Sequence, residues 1–221
     1  MRSPRLDDRR RVYNEQVSRE LFNPAGNRLY LTDSERKKFL AAADDEDRLV
    51  RSFCYVLAHT GCRISEALQL VGERVDFAAQ AITFESLKKR KRGIYRAVPV
   101  VLEMLAMVHG LKDKEKMAAA KKAKAPPPLW DFGRTTAWKH VISVMKAAGV
   151  KGPQATPKGL RHGFGVAAIQ AGIPLNLLQR WLGHAQLTTT AIYANAVGPE
   201  ERNIARRTGK LDAMPGVASM N

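Results

Sequence analysis

Apolar positions along the chain change period, and that change predicts helices around a small sheet. Leu31-Thr32-Asp33-Ser34-Glu35 reads as a helix start, because Thr32 and Glu35 have capping-box spacing and Phe39 and Leu40 follow on one face. A second helix is predicted over residues 47–59, with Leu49, Phe53, Val56 and Leu57 as its buried stripe and Gly61 at its end. A short helix over 64–70 precedes a switch to alternation. Residues 75–77, 81–85 and 94–100 then read as three strands, the last two joined by the basic turn Lys88-Lys89-Arg90-Lys91-Arg92-Gly93. Helical spacing returns over 102–111, 135–145 and 158–171. Pro174 opens a further helix that carries Leu175, Leu178 and Trp181 and stops at Gly183. Thr188 is placed as the cap of a helix bearing Tyr193, and a basic helix follows over 201–207. Trp138 and Trp181 fall at apolar helical positions and are read as core. The pattern predicts a mainly α fold with a small three-stranded antiparallel sheet.

The 221 residues suit one domain with extra arms. Residues 1–30, with Arg9, Arg10 and Arg11, read as a basic, partly disordered arm. Between 112 and 128, Lys112, Lys114, Lys116, Lys121, Lys122 and Lys124 lie among alanines, and Pro126-Pro127-Pro128 closes the run. This insertion reads as a solvated helix extension or a mobile loop. Residues 198–221 read as a basic helix and tail.

Charge narrows the function. Lys and Arg number 37 against 21 Asp and Glu, for a formal net charge of +16. Such an excess points to a polyanionic partner, with acidic-substrate enzymes and ribosome-type proteins still open. No apolar run reaches the roughly 18 residues of a membrane span, and the charged N-terminus does not read as a secretory signal. Cys54 and Cys62 would lie about 12 Å apart on one helix, too far for a disulfide, so a reduced, cytoplasmic setting fits. Neither zinc-ligand spacing nor a GxxxxGK phosphate loop is present.

Three segments carry chemistry: Thr60-Gly61-Cys62-Arg63-Ile64-Ser65-Glu66, then Pro157-Lys158-Gly159-Leu160-Arg161-His162, then Trp181-Leu182-Gly183-His184 with Tyr193 nine residues after the histidine. In this order, with a lysine-bearing hairpin between the first two, they resemble the catalytic domain of the tyrosine recombinases, or phage integrase family. The resemblance covers residues 31–197. It implies a domain that cuts DNA by attack of a tyrosine hydroxyl on phosphorus, leaving a 3′-phosphotyrosine and a free 5′ hydroxyl, with no metal or other cofactor and no ATP. Arginines suit such a site because they are planar, always charged and bidentate towards phosphate. A phenol of pKa about 10 must lose its proton, which nearby cations favour, and an acid must protonate the departing oxygen.

By resemblance, Arg63 and Arg161 clamp the phosphate, His184 donates to it and Tyr193 is the nucleophile. The general acid is Lys88, with Lys89 and Lys91 as alternatives along the turn. Glu66 would hold Arg63 or a neighbouring cation, or else be solvated. His162 matches a histidine the family often carries after its second arginine, and a packed structural role is the other reading.

Two features depart from the family pattern. Lys158 stands where a histidine is usual. It can donate to a phosphate oxygen but cannot act as a near-neutral base, so it is expected to be a phosphate-side cation that helps the phenol ionise. In addition, only about 30 residues precede Thr32, where the family carries a helical core-binding domain of roughly a hundred residues. This implies a fragment or a minimal recombinase, with an accessory DNA-binding protein or that domain supplied separately.

The expected partners are double-stranded DNA and further copies of the chain, four on two duplexes, with no membrane. The expected place is the prokaryotic cytoplasm at the nucleoid, in the service of a mobile element. Type IB topoisomerase-like relaxation and a non-catalytic DNA-binding accessory role are the alternatives.

Overall fold

The computed structural model describes residues 21–86, 93–111 and 126–195. The basic turn with Lys88, Lys89 and Lys91, most of the Lys/Ala run and the helix predicted over 201–207 lie outside the described residues. The fold is mainly helical, with one three-stranded antiparallel sheet, as the pattern predicts. Among the described residues, no helix is long and apolar enough to cross a membrane.

Helix α1 (Asp33–Asp44) opens on the expected capping box. The Glu35 amide donates to Thr32 Oγ1 at 3.2 Å, and the Thr32 amide donates to Glu35 Oε2 at 2.9 Å. Helix α2 (Arg48–Thr60) is capped by Asp47, whose carboxylate accepts from the Leu49 and Val50 amides. Its buried stripe contains Val50, Phe53, Cys54, Val56 and Leu57, but Leu49 is exposed. It lies in the first turn, off the line of Val50 and Phe53. The short helix α3 (Ile64–Ala67) stops three residues before the predicted end at 70.

Strands β1 (Val75–Asp76), β2 (Ala81–Glu85) and β3 (Tyr95–Pro99) follow in sheet order 1-2-3, with Phe84 opposite Arg96 and Glu85 opposite Tyr95. Phe77, expected in the first strand, is exposed beyond its end. Helices α4 (Leu102–His109), α5 (Arg134–Ala147), α6 (Pro157–Gln170) and α7 (Leu175–Leu182) complete the body, and α8 (Thr188–Ala191) runs into a 3-10 turn, Ile192–Asn195. Thr188 does not cap α8. The cap position is Leu187, with no side-chain bond, and Tyr193 sits in the 3-10 turn.

The core has two parts. The larger joins α1, α2, α5 and the sheet around Phe53 and Trp130, whose rings meet edge to face at 5.2 Å. The smaller gathers Leu21, Tyr30, Phe164, Leu178, Leu182 and Tyr193, and half-buried Trp181 packs against both. Leu21 and Tyr30 are buried, so the last ten residues of the expected N-terminal arm are part of the fold. Trp138 is not core: it is 47% exposed on α5, because Ala137, Val141 and Val144 take the inward face.

Glu35 ties this arm to α1 and to the turn that precedes α6. It accepts from the Arg28 guanidinium, the Thr32 amide and Gln154 Nε2. Burial pushes its carboxyl up, but these hydrogen bonds outweigh burial and hold it at about 2. A depressed folded-state pKa contributes stability above the ordinary carboxylate value and loses it as pH falls towards about 2. Glu35→Gln should therefore cost roughly 1–3 kcal/mol at neutral pH and flatten the acid limb of melting temperature against pH. An unchanged acid limb would show that Glu35 is not the group responsible.

Candidate active site

Gly61 ends α2 in the left-handed region, at φ 59°, and turns the chain so that Arg63 begins α3. A Cβ there would stand 2.5 Å from the Phe164 ring, so the turn needs glycine for space as well as for conformation. Arg63 is pinned by Glu66. Its amide donates to Glu66 Oε2 and its Nη1 to Oε1, both at 2.8 Å. Glu66 is buried rather than solvated. Burial pushes its carboxyl up, but Arg96 and Arg63 hold it below its ordinary value.

Arg96 is the residue that sequence reasoning missed. It is buried on the inner face of β3. Its Nη2 donates to Glu66 Oε2 at 2.6 Å and its Nε to the Trp181 carbonyl at 2.7 Å, while Nη1 reaches Ser86 Oγ at 3.4 Å. One side chain thus joins the first segment, the strand leading into the basic turn, and the third segment. The signal was there: strict alternation through Tyr95-Arg96-Ala97-Val98 puts Arg96 on the face of Val98, and a charge on an inward face must be paired.

Helix α6 begins with Thr156 as cap and Pro157 at its first turn, and brings Arg161 inward. Arg161 Nη1 donates to the Gly61 carbonyl at 2.6 Å, and Nη2 donates to the Leu182 carbonyl at 2.8 Å and to His184 Nε2 at 3.0 Å. Burial and then Arg63 lower its pKa to about 10, which still leaves it charged at neutral pH.

Because guanidinium only donates, His184 Nε2 is the acceptor. Its Nδ1–H is then the donor to Thr190 Oγ1 at 2.9 Å. Burial, Arg161 and Arg63 push the imidazole down to about 3, so it is neutral. In this arrangement His184 Nε2 orients Arg161.

Tyr193 is fully buried. Burial raises its phenol pKa, with Arg161 and Arg63 acting in the opposite direction. The cations act in the expected direction, but the missing solvent outweighs them. The hydroxyl lies 3.2 Å from His162 Nδ1. Lys158, on the first turn of α6, is exposed, and its charge reaches His162. Arg63, Glu66, Arg161, His162, His184 and Tyr193 are thus brought together.

Residues 30–198 match the phage integrase family. The tyrosine recombinase XerA of Pyrococcus furiosus is 26% identical over 191 residues, 84% of this chain and 64% of that protein. The tyrosine recombinase XerD of Neisseria meningitidis serogroup A is 30% identical over 75% of this chain and 57% of that one. The chain thus spans less than two thirds of these relatives. Among solved structures, the XerA recombinase crystal structure superposes with a TM-score of 0.67 at 25% identity, covering 81% of this chain and 64% of that one. The catalytic domain of bacteriophage HP1 integrase gives a TM-score of 0.57 at 22% identity and a likeness of fold, over 86% of this chain and 98% of that domain.

Proposed function

Because this chain belongs to the phage integrase family, we propose that it is a site-specific recombinase that cuts and rejoins duplex DNA through Tyr193. The observation that carries the reading is the meeting of three distant segments: the charge of Arg63 and Arg161 reaches the buried phenol of Tyr193, and Arg161 is bonded to His184. The net charge of +16 suits a DNA partner.

In the proposed reaction a DNA phosphate binds to Arg63 and Arg161. The Tyr193 hydroxyl gives its proton to water or to a phosphate oxygen, its oxygen attacks phosphorus, a 3′-phosphotyrosine forms and the bond to the 5′ oxygen breaks. A lysine of the basic turn, Lys88 by resemblance with Lys89 and Lys91 as alternatives, returns a proton to that oxygen. A 5′ hydroxyl of a partner strand then attacks the phosphotyrosine and releases Tyr193. Lys158 serves as a cation beside the phosphate, on the helix that carries Arg161. Glu66 and Arg96 hold Arg63 in place. Exchange between two duplexes implies four copies assembled on DNA.

The test is a nicked suicide duplex of the chain's own recombination site, from which the cut 5′ fragment diffuses away. The protein, with any companion domain it requires, should run as a covalent adduct on a denaturing gel. Retention without an adduct would leave a DNA-binding protein and end the enzymatic reading.

A further inference from the structure

Tyr193 lies in a slot with three walls. Its ring is against the backbone of α6 at Gly165, where a Cβ would stand 2.5 Å from Tyr193 Cε1. The His184 imidazole runs parallel to the ring, 9° between planes and 6.3 Å between centroids. His162 closes the end of the slot at the hydroxyl. His162 and Gly165 stand three residues apart on α6, the spacing that puts two residues on one helical face.

Counting partners places the proton. Among the described residues, His162 Nε2 is buried without a hydrogen-bond partner, and the phenol has His162 alone. If Nδ1 carried the hydrogen, the phenol O–H and the Nε2 lone pair would both be unsatisfied. If the phenol donates to Nδ1, only the Nε2–H is. A buried unsatisfied polar group is unfavourable, so the phenol donates.

We propose that His162 is a positioning residue for the nucleophile: its Nδ1 accepts the Tyr193 hydrogen and fixes the direction of the hydroxyl beside Arg63 and Arg161. This rests on Tyr193 being the nucleophile. His162 is not the proton's destination. Burial, Lys158 and Arg161 hold it at about 3, while the phenol is raised, so the proton stays on oxygen. The charged and titratable groups around the pair are Lys158 and Arg161 on α6, Arg63 at the start of α3 and His184 after α7, with Glu66 and Arg96 behind Arg63. The unpartnered Nε2 means that His162 is not an optimal packing residue, which separates a positioning role from a structural one.

The experiment compares His162→Leu with His162→Asn, whose amide lies close to where Nδ1 stands. His162→Leu should keep or raise the melting temperature yet slow covalent capture at saturating duplex by about 10- to 100-fold, the scale of a misplaced reacting group. His162→Asn should stay within about threefold of wild type, with the same pH–rate midpoint, because an amide can hold the hydroxyl but cannot take up its proton. Capture by the leucine variant at the wild-type rate, or by the asparagine variant as slowly as by leucine, overturns the proposal.

A meta-fluorotyrosine at position 193 reads the contact in the protein alone. Its fluorine resonance should move in His162→Leu and return in His162→Asn. An unmoved resonance also overturns the proposal. If wild type forms no adduct, the enzymatic reading fails, and the fluorine measurement still decides the contact.

Discussion

Tyr193→Phe should abolish covalent capture of a nicked duplex while leaving duplex affinity within a few-fold. The substitution removes one oxygen, and that oxygen makes the bond to phosphorus. The ring contacts with Gly165 and His184 survive in phenylalanine. The lost hydrogen bond leaves His162 Nδ1 without its partner, a cost of about 1–3 kcal/mol that a folded domain tolerates. On the proposed function affinity would rest on phosphate contacts made by the chain's other cations, which the variant keeps. Denaturing gels should report no adduct, and gel shifts near wild-type binding. An adduct of undiminished yield in the phenylalanine protein would move the nucleophile to another residue.

Arg161→Ala should be damaging in two ways at once. Loss of one transition-state donor slows chemistry by about 10²-fold or more. The carbonyls of Gly61 and Leu182 also lose their buried donors, so the melting temperature should fall. Arg161→Lys should rescue neither property. An ammonium is a point charge, and it lacks the planar fork that meets two carbonyls and an imidazole together. Arg63→Ala provides the contrast, since Glu66 keeps Arg96: cleavage should fall by a similar factor with a smaller loss of stability. Single-turnover cleavage and thermal melts of the three variants measure this. Equal stability of the two alanine variants would mean that the carbonyl bonds of Arg161 do not hold the site together.

The elements that could be read from sequence were those whose signal is local. The Thr32–Glu35 box, Gly61 and the alternation of Ala81–Glu85 each depend on neighbours within a few residues, and each is in the structure. The spaced segments pointed to a candidate site through a family resemblance, and the structure brings Arg63, Arg161, His184 and Tyr193 together. What failed needed three-dimensional knowledge. Trp138 fits an apolar pattern, but smaller residues beside it take the inward face. Leu49 fits the α2 stripe on paper but lies in the first turn beside the cap. Alternation places Arg96 on the inward face of β3, but nothing in its neighbours names Glu66 or the Trp181 carbonyl as its partners. The hydrogen-bonding direction of His184 depends on where Arg161 points, and that is set by Gly61 and Leu182, which lie 100 and 21 residues from Arg161.

The way Arg161 is held determines how much charge the site can offer. Its recorded bonds go to two carbonyls and a neutral imidazole, dipoles that fix the guanidinium without cancelling it. The carbonyls of Trp181 and Leu182, which take Arg96 and Arg161, close α7, and a helix terminus of this kind carries about half a negative charge. Glu66, the carboxylate of this cluster, is bonded to Arg63 and Arg96 and acts on Arg161 only at a distance, so of the three arginine charges two remain uncompensated by it. Attack of a phenolate on a phosphodiester produces a phosphorane with two negative charges. The folded chain therefore holds in advance a cationic excess equal in size to the negative charge that the phosphorane of the proposed reaction would gather there.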